Sequence, residues 1–70
     1  MKFIYFNDTG RTVSIHSATE IHGTKCSMDS IQPLEECTFY LPPDTFPWVK
    51  MWDSGEERGL SILVSPRKND

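Results

Sequence analysis

Hydrophobic and polar positions alternate along most of this chain with a period of two, and turn residues interrupt them every 6–12 positions. That rhythm predicts short strands in an all-β domain rather than helices. Lys2–Phe6 is apolar on both faces and reads as a central strand with cover on each side. Asn7-Asp8-Thr9-Gly10 supplies turn chemistry, because Asn and Asp tolerate left-handed dihedrals and Gly adopts them freely. Arg11–His16 then alternates, with Val13 and Ile15 inward, so the first two strands are expected to form a hairpin.

Ser17-Ala18-Thr19-Glu20 fits a capping box, yet Gly23 follows so soon that one helical turn at most has room. A strand is expected instead near Lys25–Met28, with Cys26 and Met28 facing the core and Gly23 marking a turn or bulge. Glu36–Leu41 gives a cleaner pattern: Cys37, Phe39 and Leu41 on one face, Glu36, Thr38 and Tyr40 on the other. Pro42-Pro43-Asp44 stops that strand, and Pro47 delays the next, since proline cannot donate to a ladder. Trp48–Asp53 places Val49 and Met51 inward and Trp48, Lys50 and Trp52 outward. Asp53-Ser54-Gly55-Glu56 turns the chain, and Leu60–Val64 closes the sheet with Leu60, Ile62 and Val64 on one face. The expected fold is a small antiparallel β-sandwich or partly open barrel of five to six strands. Residues 1–65 form the domain and 66–70 a flexible C-terminal tail.

Length narrows the functions open to such a domain. Seventy residues bury only about 60% of the unfolded chain's surface, too little to floor a deep cleft. Eight aromatic residues argue for a packed chain rather than a disordered one. Seven basic and ten acidic residues give a net charge of -3, with the basic ones scattered, so no nucleic acid partner is expected. No apolar run approaches a membrane span, and no membrane association is expected. Lys2 is followed by only four apolar residues before the first turn, which predicts a strand rather than an export signal. A cytoplasmic address is therefore expected, with Cys26 and Cys37 as free thiols. On that address the sequon Asn7-Asp8-Thr9 carries no consequence.

Chemistry-bearing motifs are few. Asp8-Thr9-Gly10 and Asp53-Ser54-Gly55 both match the short aspartic-protease signature, in which two carboxylates share a proton. The chain is shorter than one lobe of such an enzyme, and both tripeptides are ordinary hairpin turns. His16, His22, Cys26 and Cys37 lack the close pairing of a structural zinc site, and their inward and outward parities differ. Neither a nucleophile elbow nor a phosphate loop is present. No catalytic residue, cofactor or metal is expected, and the chain does not read as an enzyme.

Trp48-x-Lys50-x-Trp52 is the most informative cluster. On a strand these side chains share a face at intervals of about 6.6–6.8 Å. Tyr40 has the outward parity of the preceding strand and is expected to extend the patch across strands. Two roles are open to the tryptophans: covering a second core layer, or contacting a partner. The contact reading makes the chain a non-catalytic module that binds a protein partner or a second copy of itself. Its rival is a carbohydrate or small-ligand module using Trp48 and Trp52 as a stacking platform.

A strand pair around Asn-x-x-Gly, Ile31-x-Pro33-x-Glu35, an aromatic strand ending in Leu41-Pro42, and Val49-Lys50-Met51-Trp52-Asp53 span most of the chain. In these features it resembles short uncharacterised all-β proteins of Gram-positive bacteria. The resemblance implies a β-sandwich-like fold and a cytoplasmic origin, and it assigns no site residues.

Overall fold

A computed structural model of the chain describes residues 1–68. It contains β1 (Lys2–Phe6), β2 (Val13–Ile15), α1 (Ala18–Ile21), β3 (Glu36–Tyr40), β4 (Thr45–Asp53) and β5 (Leu60–Lys68). Strands dominate, as the period-two pattern predicts. They make two sheets, a two-stranded β1-β3 and a three-stranded β2-β5-β4, which do not close into a barrel among the described residues.

The expected β1–β2 hairpin does not form. β1 pairs antiparallel with β3, Phe3 opposite Phe39, while β2 pairs parallel with β5, Val13 opposite Leu60. The sheet that holds β2 is thus mixed, where an antiparallel one was expected. Asn7 explains the departure. It is fully buried, its Nδ2 donates to the carbonyls of Arg11 and Ile31, and its Oδ1 accepts from the backbone N–H and the hydroxyl of Thr9. These bonds hold the segment between β1 and β2 as a crossing from one sheet to the other. On arrival, Val13 exchanges two backbone hydrogen bonds with Ile31 on the side away from β5.

One buried cluster joins the sheets: Val13, Ile62 and Val64 from one, Phe39 from the other, with Ile31 and Leu41 beside them. The predicted inward parity holds for Val13, Phe39, Leu41, Ile62 and Val64. It fails energetically for Val49 and Met51. They lie opposite Val64 and Ile62 and so share the core-side face, yet both remain more than a third exposed. β4 is an edge strand, and Val49 and Met51 lie outside the cluster that the two sheets bury between them. β1 is likewise an edge rather than the expected centre, with Phe3 and Tyr5 packed on the core and Ile4 and Phe6 about half exposed.

The expected strand at Lys25–Met28 shrinks to one bridge, Lys25 with Tyr40; Cys26 packs on the core, but Met28 is exposed. Just before it, α1 is a single turn whose Ser17 N-cap makes no side-chain capping bond. The turn serves β5 instead. Where β2 ends, the Val64 N–H donates to Thr19 Oγ1, and Thr24 Oγ1 donates to the Val64 carbonyl. Two buried hydroxyls thus continue the ladder that β2 leaves off.

Pro47 does not delay β4, which begins at Thr45. Leu60 N–H, Ile62 C=O and both Val64 groups bond away from β4, so the pairs at those residues are the ones without ladder bonds to β4. Pro47 opposite Pro66 has the same parity, and its missing N–H would have pointed off the free edge. The expected tail at 66–70 is corrected in part: β5 runs through Lys68, with Pro66 and Arg67 paired to β4, while 69–70 lie outside the described residues.

Candidate functional site

The outer face of the β2-β5-β4 sheet carries Phe46, Trp48, Lys50 and Trp52 on β4, opposite Arg67, Ser65, Leu63 and Ser61 on β5. Ser65 and Ser61 are small and leave room beside Trp48 and Trp52, while Leu63 and Arg67 stand beside Lys50 and Phe46. Trp48 is 39% exposed and Trp52 half-buried. Neither belongs to the buried cluster that joins the sheets. The Arg67 guanidinium stands over the Trp48 ring at 4.6 Å, and Lys50 Nζ lies 5.8 Å from the Trp52 ring. Both are cation–π distances. The His16 ring tilts against Trp52 with centroids 5.5 Å apart.

Lys50, Trp52, His16 and Leu63 border a shallow hollow of about 420 Å³. His16 reaches it because the chain leaves β2 beside β5, its N–H bonded to the Ile62 carbonyl. Its Nδ1 accepts from the Ala18 N–H, which fixes the ring's orientation. His16 was legible only as an outward residue. Its place beside Trp52 depends on the parallel β2–β5 pairing, which has no local sequence signal.

Tyr40 does not extend this patch. β3 pairs with β1, so Tyr40 lies in the other sheet, opposite Lys2 and 55% exposed. The strand that follows β3 in sequence is not its neighbour in space, and the cross-strand aromatic pair expected from parity is absent.

The remaining motifs have structural duties. Asp53 carries a bidentate ion pair with Arg11, both contacts at 3.1 Å, and its Oδ1 also accepts from the Gly55 N–H. The Arg11 and Gly55 donors hold its carboxyl below the ordinary aspartate value. A carboxylate so engaged has no proton to share with Asp8. Asp8-Thr9-Gly10 lies in the bend between β1 and β2, and Asp53-Ser54-Gly55 carries the end of β4 into the turn at 56–58, with Gly10 at φ +79° and Gly55 at φ +99°. The sequon asparagine is sealed, since its amide nitrogen is used twice inside the fold.

His22 bonds Ser65 rather than joining His16, and among the described residues no three His, Cys, Asp or Glu side chains are grouped to hold a metal ion. Burial pushes the Cys26 and Cys37 thiols up, with the charges of Cys37 and Glu20 adding to the effect at Cys26. Both cysteines are free. Thiols held protonated are poor nucleophiles at neutral pH. Among the described residues no helix is long and apolar enough to cross a membrane. No protein-family model, curated protein or solved structure matches the chain.

Proposed function

We propose that this chain is a non-catalytic interaction module that contacts a protein partner, or a second copy of itself, through the outer face of β4. Trp48, Lys50 and Trp52 make the contact; Tyr40, on the other sheet, takes no part. The observation that carries this reading is the pairing of each tryptophan with a cation on an exposed face: Trp48 with Arg67, Trp52 with Lys50. Tryptophan and arginine supply much of the binding energy at protein interfaces, and rigid rings already ordered by cations lose little entropy on docking. Two cations on this face favour an acidic surface on the partner. In this reading the two sheets act as the layers of a small sandwich that presents the face, in the cytoplasm.

The second reading is a carbohydrate or small-ligand module. The hollow beside Trp52, of about 420 Å³, lies in the size range of small-molecule sites, and Trp52 would stack against a sugar ring.

A photo-crosslinking residue in place of Phe46, which lies exposed on the same face outside the three contact residues, introduced in cells that make the protein, separates these. A protein adduct that disappears with Trp52→Ala or Trp48→Ala supports the interaction module. No adduct, together with indole NMR shifts on adding sugars, transfers the site to the second reading. An adduct unchanged by either tryptophan substitution overturns both.

A further inference from the structure

Among the described residues β1 and β4 have no strand or bridge on their outer sides, and these two edges differ in character in a way that identifies a second contact surface. In β3, the N–H and C=O of Tyr40 both bond to Lys25, away from β1. The Lys2–Tyr40 pair is therefore one without ladder bonds, and so are Ile4–Thr38 and Phe6–Glu36. It follows that the N–H and C=O of Lys2, Ile4 and Phe6 point off the free edge of β1. Among the described residues they have no hydrogen-bonding partner.

The free edge of β4 has the same kind of unpaired groups, but it carries two devices that discourage pairing. Pro47 removes a donor, and Lys50 sits at mid-strand. β1 has no proline, and its one charge stands at the strand's end.

We infer that β1 pairs antiparallel with β1 of a second copy of this chain, about a two-fold axis at Ile4, joining the two β1-β3 sheets into one of four strands. In that register Ile4 faces Ile4, and Lys2 faces Phe6 of the other copy. All three unbonded residues become ladder-bonded pairs at once. Charge fits as well. Glu36 lies opposite Phe6 on β3, so Lys2 of one copy arrives over the Phe6 ring with Glu36 of the other copy just beyond it.

Ile4, Phe6 and Tyr40, 48–55% exposed in the single chain, then lie along one face of the joined sheet. A five-residue edge is a small interface, so dissociation at about 10–100 µM is expected. The surface lies on a different sheet from Trp48 and Trp52, so it and the aromatic-face reading stand or fall separately.

Sedimentation equilibrium from about 1 µM to about 1 mM, with amide exchange at both ends of the range, tests the inference. A monomer–dimer equilibrium is expected, with exchange at Ile4 and Phe6 slowing as concentration rises while Val49 and Met51 stay unchanged. Ile4→Lys puts two lysines face to face on the axis and should weaken the dimer at least about tenfold. Ile4 is 49% exposed, and unchanged circular dichroism confirms that the variant folds. Lys2→Glu and Glu36→Lys should each weaken pairing, and the two together should restore it. A chain that stays monomeric throughout overturns the inference. So does a dimer that protects Val49 and Met51 and is lost with Trp52→Ala, which would assign self-association to the aromatic face.

Discussion

Asn7 is fully buried, and its side-chain amide bonds to both Arg11 and Ile31. Buried amides survive only when their bonds are made, and this one places two donors on carbonyls from separate segments while its oxygen takes two bonds from Thr9. Asn7→Ala leaves the Ile31 and Arg11 carbonyls without that donor and should cost about 2–4 kcal/mol. Chains of this size are stable by about 3–10 kcal/mol, so the variant should be partly unfolded at 37 °C by circular dichroism. A midpoint unchanged in urea would show that water replaces the amide without penalty.

Leu34 is the opposite case. It stands at φ +67° in a turn closed by Glu35 N–H to the Gln32 carbonyl, with its side chain 76% exposed. Pro33 sets the first central position of that turn, and the second favours glycine. Leu34→Gly relieves the left-handed strain and forfeits little burial. It should stabilise by about 0.5–1 kcal/mol, raising the melting temperature by a few degrees.

At the scale of elements, legibility followed physical range. Period-two alternation located β1, β3 and β5, and gave the correct inward residues for Val13, Phe39, Ile62 and Val64, because those depend only on the strand's own pleat. Partners were not legible. Asn-Asp-Thr-Gly reads as a hairpin turn by local propensity, and the long-range bonds of Asn7 override it. Pro47 reads as a strand breaker, yet it lies at an edge position where no ladder bond was available to lose. The tryptophan face was legible and Tyr40's distance from it was not, for the same reason: parity is local and strand order is global.

Elements are also fastened at their ends. Arg11 leads into β2, and its pair with Asp53 ties that entry to the turn after β4. Because Arg11 and Gly55 donate to the charged carboxylate, folded Asp53 takes up a proton less readily than unfolded Asp53. The stability it adds is complete above the ordinary aspartate value and fades as pH falls through the folded one. Asp53→Asn should therefore flatten the loss of stability seen in urea titrations between about pH 5 and pH 2. Both groups face solvent, so added salt should shrink the difference. An unchanged acid slope would remove the ion pair from the account. Gly59 fastens the other end of that turn. At φ +73° a Cβ there would meet the Thr12 carbonyl oxygen at 2.5 Å, the same oxygen that accepts the Leu60 N–H. Gly59→Ala should push β2 off β5 and cost more than the about 1 kcal/mol of left-handed strain alone.

For the whole molecule, the question is whether two small sheets behave as one cooperative body. A two-stranded sheet such as β1-β3 is marginal by itself in water. Its inner face, Phe3, Tyr5 and Phe39, packs into the same cluster as Val13, Ile62 and Val64 of the other sheet. Each sheet therefore lends the other its apolar cover, and neither has a core of its own to fall back on. Opening one should expose the other's buried face and remove the reason for its order. Amide exchange under mild urea tests this directly, with the Phe39 N–H reporting on β1-β3 and the Ile62 N–H on β2-β5-β4. Both should exchange through the same global opening, with equal free energy and equal urea dependence. Phe39→Ala should lower both together by about 3–5 kcal/mol, although only one sheet has been altered. If Ile62 kept its protection after Phe39 was truncated, the three-stranded sheet would be independently stable. The β1-β3 layer would then be an appendage on the body that presents Trp48 and Trp52, rather than half of the core that keeps their strand in place.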